Sequence, residues 1–249
     1  MTGYKADYGN NRRPRLRKRR VALAAVLLGL AALLIYQVGL FLAVLWYSVQ
    51  NPNSTAFMRS TLSTLRAENP EAKLQHTWVN YDQISNNLKR AVIASEDSNF
   101  LSHGGVEWEA IQKAWQYNRQ QAEDGGQRMR GGSTITQQLA KNLFLSASRS
   151  YWRKGQEMLL AYMIELVMSK ERILELYLNT AQWGIDIFGA QAAARHYFKT
   201  DAASLTASQA ARLAAMLPNP SYYHRNGNTS YLRSRTNTIQ QRLRLVEAP

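Results

Sequence analysis

The longest apolar stretch of the chain is Val21 to Tyr47, 27 residues without a charged side chain. It exceeds the roughly 20 apolar residues that a helix needs to cross a bilayer core and the about 7–15 residues of a signal-peptide core. Seven Lys and Arg residues at positions 12–20 precede it, and such cationic flanks stay in the cytoplasm. The pattern therefore predicts one N-terminal transmembrane helix at 21–47, with residues 1–20 as a cytoplasmic tail.

The pattern that follows is mainly helical. Residues 48–74 are polar and contain two Asn-Pro breakers, which is typical of a juxtamembrane connector. From residue 75 onward, apolar positions recur at the three- and four-residue spacings of amphipathic helices, and no alternating β-branched run exceeds a few positions. We expect helices at 82–95, 106–120, 134–144, 151–167, 169–180 and 206–217. The fold class predicted for residues 75–249 is all-α, with at most a short strand at 77–79.

Local signals refine these predicted helices. Asp82 is the expected N-cap of the first helix, and Thr206 with Gln209 forms the sequence signature of a capping box. Residues 122–127 are glycine-rich, charged and poor in apolar anchors, which indicates a mobile loop.

Charge and composition restrict the partners. Residues 1–20 hold eight Lys and Arg against one Asp, which accounts for half of the formal net charge of +14. The rest is spread along the chain, which fits a domain beside anionic lipid headgroups and shows no groove-reading module for nucleic acid. We therefore expect membrane lipids as partners and no nucleic acid. The chain has no Cys, which excludes disulfides and thiolate chemistry, and its four His show no metal-ligand spacing.

Gly131 to Asn142 carries the densest polar chemistry. Two glycines precede Ser133 and Thr134, either of which can cap a helix N-terminus. In that helix two pairs of polar side chains stand four residues apart and share a face: Gln137 with Lys141, and Gln138 with Asn142. Such a face, singly cationic behind a flexible entrance, suits a hydroxyl-rich, anionic ligand. The alternative is an ordinary loop followed by a capped helix.

A second stretch, Glu96 to Gly105, ends a predicted amphipathic helix in two adjacent carboxylates. Adjacent helical side chains point in different directions, so Glu96 and Asp97 cannot share one role. Glu96 lies at the edge of the apolar face and would point toward the domain interior or a cleft, where a carboxylate can act as a general base. The alternative is that both carboxylates are solvated and that His103 is a packing histidine.

A third stretch runs from Arg149 to Glu157. Arg153 and Glu157 are one helical turn apart, which also fits an ordinary surface salt bridge. The helix beyond Glu157 is so apolar that we expect it to be buried nearly all round. Because charged residues are rarely buried without a partner, Glu157 is either paired in the core or functional.

Together these stretches resemble the family 51 glycosyltransferases, which polymerise bacterial peptidoglycan from lipid II. The resemblance covers residues 75–225 and consists of five motifs in the family's order and spacing. The first three are matched by Glu96, Asp97, Phe100, His103 and Gly105; by Gly131 through Gln138 with Lys141 and Asn142; and by Arg153, Lys154 and Glu157. The last two are matched by Ile173, Leu174, Glu175, Tyr177, Leu178 and Asn179, and by Leu213 through Pro220. One departure is Glu107, where the family often has Asp.

The resemblance implies a lysozyme-like catalytic domain over 75–249. It implies an inverting hexosyltransferase that joins lipid II into β-1,4-linked glycan strands and releases undecaprenyl diphosphate. Glu96 would be the general base, and Glu157 a second catalytic residue beside the leaving group. The substrate-binding residues that it implies are Asp97, Asn99, Phe100, His103, Ser133, Thr134, Gln137, Gln138, Lys141, Asn142, Arg149, Arg153 and Lys154. It requires no cofactor and leaves Mg²⁺ or Mn²⁺ open, with Glu157 as the candidate ligand.

The expected partners are lipid II, the growing glycan chain and membrane lipids, with cell-wall synthesis or division proteins as further candidates. The expected location is the bacterial inner membrane, with a single pass, a cytoplasmic N-terminus and a periplasmic catalytic domain. Because no Ser-x-x-Lys motif of a transpeptidase follows, the chain is most similar to monofunctional members of the family.

Two alternatives stay open. The first is a membrane-anchored muramidase or lytic transglycosylase, which also uses a helix-end glutamate in an all-α domain. The basic residues around Lys141 and Arg149 argue against it, because cleavage of a neutral glycoside needs no such cations. The second is a non-catalytic cell-wall scaffold, against which the intact candidate catalytic positions argue.

Overall fold

The computed structural model describes residues 13–126, 131–145 and 150–249, and it confirms the all-α prediction. The helices of this part of the chain are α1 (Arg13–Val49), α2 (Ala56–Glu68), α3 (Asn86–Glu96), α4 (Trp108–Glu123), α5 (Ile135–Phe144), α6 (Tyr151–Val167), α7 (Lys170–Thr180), α8 (Ala190–Phe198), α9 (Ala207–Met216), α10 (Pro220–Asn226) and α11 (Ser230–Arg242). Short 3₁₀ helices lie at Tyr81–Gln83, Ala202–Ser204 and Leu243–Leu245. The strands are β1 (Gln75–His76) and β2 (Ile187–Phe188).

The chain divides into two compact units, Met1–Ala43 and Val44–Pro249. Helix α1 carries the predicted transmembrane segment, because its residues from Lys18 to Val49 are long and apolar enough to span a membrane. Its Leu and Val side chains between positions 21 and 38 are largely exposed, as lipid-facing side chains would be. The finer boundaries of tail, connector and catalytic domain at residues 20, 47 and 74 stay predictions.

Ser and Thr side chains begin many of the helices, as N-cap chemistry requires. The predicted capping box of Thr206 and Gln209 is present, and a second capping box joins Thr134 and Gln137 at the start of α5. The prediction that Asp82 is a cap is wrong. Asp82 lies in a 3₁₀ turn, and α3 is capped by Ser85, whose Oγ accepts a hydrogen bond from the Leu88 N–H at 3.2 Å.

The helices of the second unit pack in two groups. Helix α9 contacts both α3 and α11, and helix α5 contacts both α6 and α7. These are called the α9 group and the α5 group below. Helix α7 is buried from Ile173 to Thr180 except at Glu175, so it lies almost entirely in the core.

A two-residue parallel ladder, Gln75 with Ile187 and His76 with Phe188, replaces the strand predicted at 77–79. Beyond the ladder a side chain takes over the backbone hydrogen bonds. The Asn179 amide accepts from the Val79 N–H at 3.0 Å and donates to the Val79 carbonyl at 2.9 Å. Because Asn179 satisfies these groups, the chain needs no further strand partner at this point.

The predicted connector contains helix α2, which is amphipathic and packs on the domain. Its Phe57 ring contacts the Phe188 ring edge-on, with 6.0 Å between centroids. Nearby, the Arg172 guanidinium of α7 donates to the carbonyl oxygens of Tyr47 and Gln50 at 2.9–3.2 Å. These hydrogen bonds attach the last residues of α1 to the helical domain.

Two helices differ from their predictions. Helix α4 continues to Glu123, three residues further than expected, and Gln127 of the predicted mobile loop lies outside the described residues. Helix α6 is not buried all round. It buries Glu157 and exposes a second apolar face, on which Leu159, Tyr162 and Leu166 are 40%, 43% and 79% exposed.

Gly105 is the tightest point of the loop that leads into α4. Its φ is +94°, a conformation that side chains with a Cβ rarely adopt. A Cβ at this position would lie 2.9 Å from both the Ala161 carbonyl oxygen and the Glu165 Cγ of α6. The neighbouring Gly104 has open space around the same position. Only Gly105 of this pair is therefore required by the packing of the loop on α6.

We expect Gly105→Ala to lower the free energy of unfolding by about 1–3 kcal/mol, because it adds backbone strain and a contact with α6 backbone. Chemical denaturation of the detergent-solubilised full chain measures this. Gly104→Ala is the matched control and should change stability by less than about 0.5 kcal/mol. Equal stability of the two variants would contradict the account.

Candidate active site

Glu96 is the last residue of α3, and its side chain is 10% exposed. Both of its carboxylate oxygens accept a hydrogen bond from a neutral donor. The Ser95 hydroxyl donates to Oε1 at 3.0 Å, and the Gln138 amide of α5 donates to Oε2 at 3.0 Å. The carboxylate is thus held between the α9 group and the α5 group, with one hydrogen bond on each oxygen.

Tyr177 of α7 fixes the Gln138 amide. Its hydroxyl donates to Gln138 Oε1 at 3.0 Å, so the amide NH₂ is left to face Glu96. Burial raises the pKa of the Tyr177 hydroxyl well above its usual range, and the charges of Glu96 and Asp97 raise it further. The phenol therefore stays protonated and remains a donor, which keeps the amide in one orientation.

Asp97 is buried and belongs to a different network. Its carboxylate accepts from His103 Nε2 at 2.9 Å and from the Ile135 N–H at 2.9 Å. Ile135 is the first residue of α5, where a negative charge is stabilised by the helix dipole. His103 Nδ1 accepts from the Gly105 N–H at 3.1 Å, so the ring proton lies on Nε2. Asp97 and His103 thus join the loop after α3 to the start of α5.

The other residues of this loop are also engaged. Phe100 is fully buried, with the Lys170 ammonium 4.6 Å from its ring centroid. Asn99 is exposed and donates to Glu107 Oε1 at 2.6 Å, and Thr134 donates to the Gly105 carbonyl at 2.6 Å. These contacts give the loop its shape. Their direct contact with a substrate stays a prediction.

Basic side chains surround Glu157 on α6. The buried Glu157 carboxylate pairs with Arg153 Nη1 at 3.3 Å and with the Lys154 ammonium, which also donates to Ser133 Oγ at 2.9 Å. Arg153 Nε is buried and has no partner among the described residues. The structure shows Glu157 buried and paired, and its catalytic role stays a prediction. Arg149 lies outside the described residues.

Lys141 connects the cluster to Glu96 electrostatically. Burial lowers the pKa of its ammonium; Arg153 and Lys154 lower it further, while Glu157 and Glu96 act in the opposite direction. The Lys141 ammonium is therefore attracted by both the Glu157 and the Glu96 carboxylates. Arg153 and Lys154 pair with Glu157, the charge of Lys141 acts on the same carboxylate, and this excess of positive charge suits an anion. We call these four residues the cationic cluster.

The prediction of a polar, ligand-facing side of α5 is partly wrong. Gln137 is fully buried, and its Oε1 accepts from the Thr134 N–H at 3.0 Å as part of the capping box. Asn142 is also buried, whereas Gln138 and Lys141 are half-buried. The side chains that α5 contributes to the site are thus Gln138 and Lys141, which are three residues apart.

Two places among the described residues could be considered for a divalent ion, Glu157 and the group of Asp97, His103 and Glu107. Each oxygen of Glu157 already faces a cation, which a metal ion would have to displace. Asp97, His103 and Glu107 place ligand atoms within 4.8 Å of one another. However, both nitrogens of the His103 ring are hydrogen-bonded, and Glu107 Oε1 accepts a hydrogen bond from the Asn99 amide. Neither group fits a metal ion without rearrangement.

Sequence reasoning did not show how the candidate base is held. Tyr177 lies in the fourth motif and Gln138 in the second, so both positions were marked, but the hydrogen bond between them was not predicted. Ser95 precedes Glu96 directly and carries no motif signal. Only the packing of α3, α5 and α7 reveals that their side chains converge on one carboxylate.

Comparisons with known proteins find a family model and relatives that cover most of the chain. A family model described as Transglycosylase matches residues 60–244. The chain is 63% identical to the biosynthetic peptidoglycan transglycosylase of Bordetella pertussis over 235 residues, which cover 94% of this chain and 97% of that protein. It is 52% identical to the protein of the same name from Herminiimonas arsenicoxydans over 231 residues, covering 93% and 98% of the two chains.

We expect Asp97→Asn to lower the free energy of unfolding by about 1–3 kcal/mol. The substitution puts an NH₂ group against the His103 Nε2–H and removes the negative charge at the start of α5. Thermal and chemical unfolding of the full chain measure the loss. Asp124→Asn, at an exposed carboxylate after α4, is the control and should be close to neutral. If both variants unfold like the parent, Asp97 does not have this structural role.

Proposed function

The chain belongs to the transglycosylase family, and we propose that its reaction takes place between the held carboxylate of Glu96 and the cationic cluster. It is a peptidoglycan glycosyltransferase with a lysozyme-like catalytic domain, and it polymerises glycan strands in cell-wall synthesis. Its substrates are lipid II and the growing glycan chain.

The first proposed step is proton removal by Glu96. The 4-hydroxyl of the acceptor sugar attacks C1 of the donor sugar, and Glu96 takes the hydroxyl proton as the C1–O bond forms. The observation that carries this assignment is that Ser95 and Gln138 are the only hydrogen-bond donors to Glu96 among the described residues. Each carboxylate oxygen has two lone-pair sites, so one on each oxygen is left to receive a proton.

The second proposed step is departure of the lipid diphosphate. As the C1–O bond to phosphate breaks, two electrons pass to the diphosphate, which needs cations more than it needs a proton. Lys141 and Arg153 are the described groups that we assign to it, and the unpartnered Arg153 Nε supports this assignment. Lys154 and Ser133 would complete the diphosphate site, together with Arg149, which lies outside the described residues.

Glu157 acts on this site indirectly. A carboxylate repels a diphosphate, so we assign Glu157 to holding the Arg153 and Lys154 side chains in position. Attack from the face opposite the leaving group inverts C1 and converts an α-linked donor into a β-1,4-linked product.

The exposed apolar face of α4 and α6 supports a position at the membrane surface. Trp108 is 60% exposed and donates from Nε1 to the Tyr162 hydroxyl at 3.1 Å, beside the exposed Leu159 and Leu166. Trp and Tyr with this mixture of ring and polar tip are typical of the headgroup region. We propose a single-pass protein of the bacterial inner membrane with a cytoplasmic N-terminus and a periplasmic domain. Contacts with cell-wall synthesis or division proteins stay a prediction.

The cationic cluster also favours glycosyl transfer from a lipid diphosphate over the reaction of a muramidase. Hydrolysis of a neutral glycoside releases a sugar hydroxyl, which needs a proton donor and no array of cations. A diphosphate leaving group accounts for Lys141, Arg153 and Lys154 together.

We expect Glu96→Gln to abolish polymerisation, with a loss of at least about 10²–10⁴ in rate, because an amide cannot accept the proton. Binding of fluorescent lipid II to the full chain in detergent should be unchanged. Glu123→Gln, at an exposed glutamate of α4, is the control for loss of one negative charge and should retain activity. Polymerisation by Glu96→Gln at the parent rate would remove Glu96 from the base role.

We expect Lys141→Ala to weaken donor binding by about tenfold to a hundredfold, because a hydrogen bond to a charged group is worth about 1.5–3 kcal/mol. The Kd of a non-reactive lipid diphosphate analogue measures this. Lys113→Ala removes an exposed lysine on α4 and serves as the control. The assignment would be refuted by equal affinities of the Lys141 and Lys113 variants.

A further inference from the structure

Arg235 reaches the candidate base from an element that none of the five motifs includes. It lies on α11, fifteen positions after the last motif residue, Pro220. Its Nη2 donates to Ser95 Oγ at 3.1 Å and lies 3.9 Å from Glu96 Oε1. Its side chain is 31% exposed, and its Nε is buried without a partner among the described residues.

The Ser95 hydroxyl links the two charges. It has one proton and two acceptors within reach, Glu96 Oε1 at 3.0 Å and the Ala214 carbonyl oxygen at 3.4 Å. A hydroxyl that accepts from Arg235 is polarised and becomes a stronger donor toward its own acceptor. The shorter distance directs that proton to Glu96. Arg235 thus reinforces the hydrogen bond on one oxygen of the base, as Tyr177 reinforces the one on the other.

The packing of α11 sets the position of the guanidinium. Leu232, Thr236 and Ile239 are buried at spacings of four and three residues. They form the face of α11 that packs on α9 and α3. Arg235 lies beside this face, and its positive charge opposes the rise that burial causes in the pKa of Tyr223. The side chain is therefore placed by its helix and is not a freely moving surface arginine.

We propose that Arg235 is a positioning residue for glycosyl transfer, which holds the Glu96 carboxylate in its reactive orientation through the Ser95 hydroxyl. At 3.9 Å the guanidinium attracts the carboxylate without occupying it by a direct hydrogen bond, so Glu96 keeps a lone pair for the acceptor proton. The inference rests on the proposed role of Glu96 as the base. It adds to that role a second layer of residues drawn from the C-terminal helix.

The test compares Arg235→Met, Arg235→Lys and Ser95→Ala in the full chain, with lipid II polymerisation measured over a range of substrate concentrations. Arg233→Met is the matched control, because Arg233 is exposed on the same helix and bonds only the Asn228 carbonyl among the described contacts. We expect Arg235→Met to lower kcat by about tenfold to a hundredfold, with KM within about twofold, because a small misplacement of a reacting group has effects of this size. Arg235→Lys should recover part of the loss, and Arg233→Met should behave like the parent.

The double variant of Arg235→Met with Ser95→Ala distinguishes the route. If Arg235 acts through Ser95, the double variant should lose no more than the more impaired single variant. Losses that multiply, or a raised KM with kcat intact, would overturn the proposal, the second by making Arg235 a substrate ligand. Thermal unfolding of each variant identifies any loss of activity that is due to misfolding. Ser95→Ala removes only a hydroxyl group, so it tests the same route with a smaller change to the side chain.

The outcomes also separate this inference from the proposed function. Activity in Glu96→Gln would refute the base itself. An inactive Glu96→Gln together with a fully active Arg235→Met would refute only the role of Arg235.

Discussion

A carboxylate that folding removes from water must find donors or cations, and three carboxylates of the candidate site meet this requirement in different ways. Asp97 faces the first N–H of α5 and a neutral histidine. Glu157 faces an arginine and a lysine. Glu96 accepts from a hydroxyl and an amide, which orient it without pairing it tightly with a cation. The chemistry proposed for each residue follows from this choice of partner.

The hydrogen bonds of Glu96 also explain why the site lies between two helix groups. Ser95 belongs to α3 in the α9 group, while Gln138 and Tyr177 belong to α5 and α7. Asp97 crosses the same boundary when it accepts from Ile135. One pair of adjacent residues at the end of α3 is therefore attached twice to the α5 group, once for orientation of the base and once for stability. A glycine at 105 lets the intervening loop return closely enough to α6 for this to happen.

Much of this could be predicted from the sequence, because it depends on local rules. Apolar length predicted the spanning helix, periodicity predicted the helices, and Thr206 with Gln209 predicted a capping box. The motifs brought Glu96, Lys141 and Glu157 into one family resemblance. What failed depends on tertiary structure. Gln137 and Gln138 are neighbours in sequence, yet packing of α5 on α7 turns one into the core and the other toward Glu96. The open apolar face of α6 could not be told from a buried one by periodicity alone. Arg235 carries no local signal, because its partners lie 140 residues earlier.

The central claim is that Glu96 receives the acceptor proton while the cationic cluster holds the diphosphate. The most direct measurement is an experimental structure of the full chain with a non-reactive lipid diphosphate donor and an acceptor sugar bound. The account predicts the acceptor 4-hydroxyl within about 2.6–3.2 Å of a Glu96 oxygen and diphosphate oxygens on Lys141 and Arg153. An acceptor hydroxyl that faces another base, or a diphosphate bound away from these two cations, would contradict it.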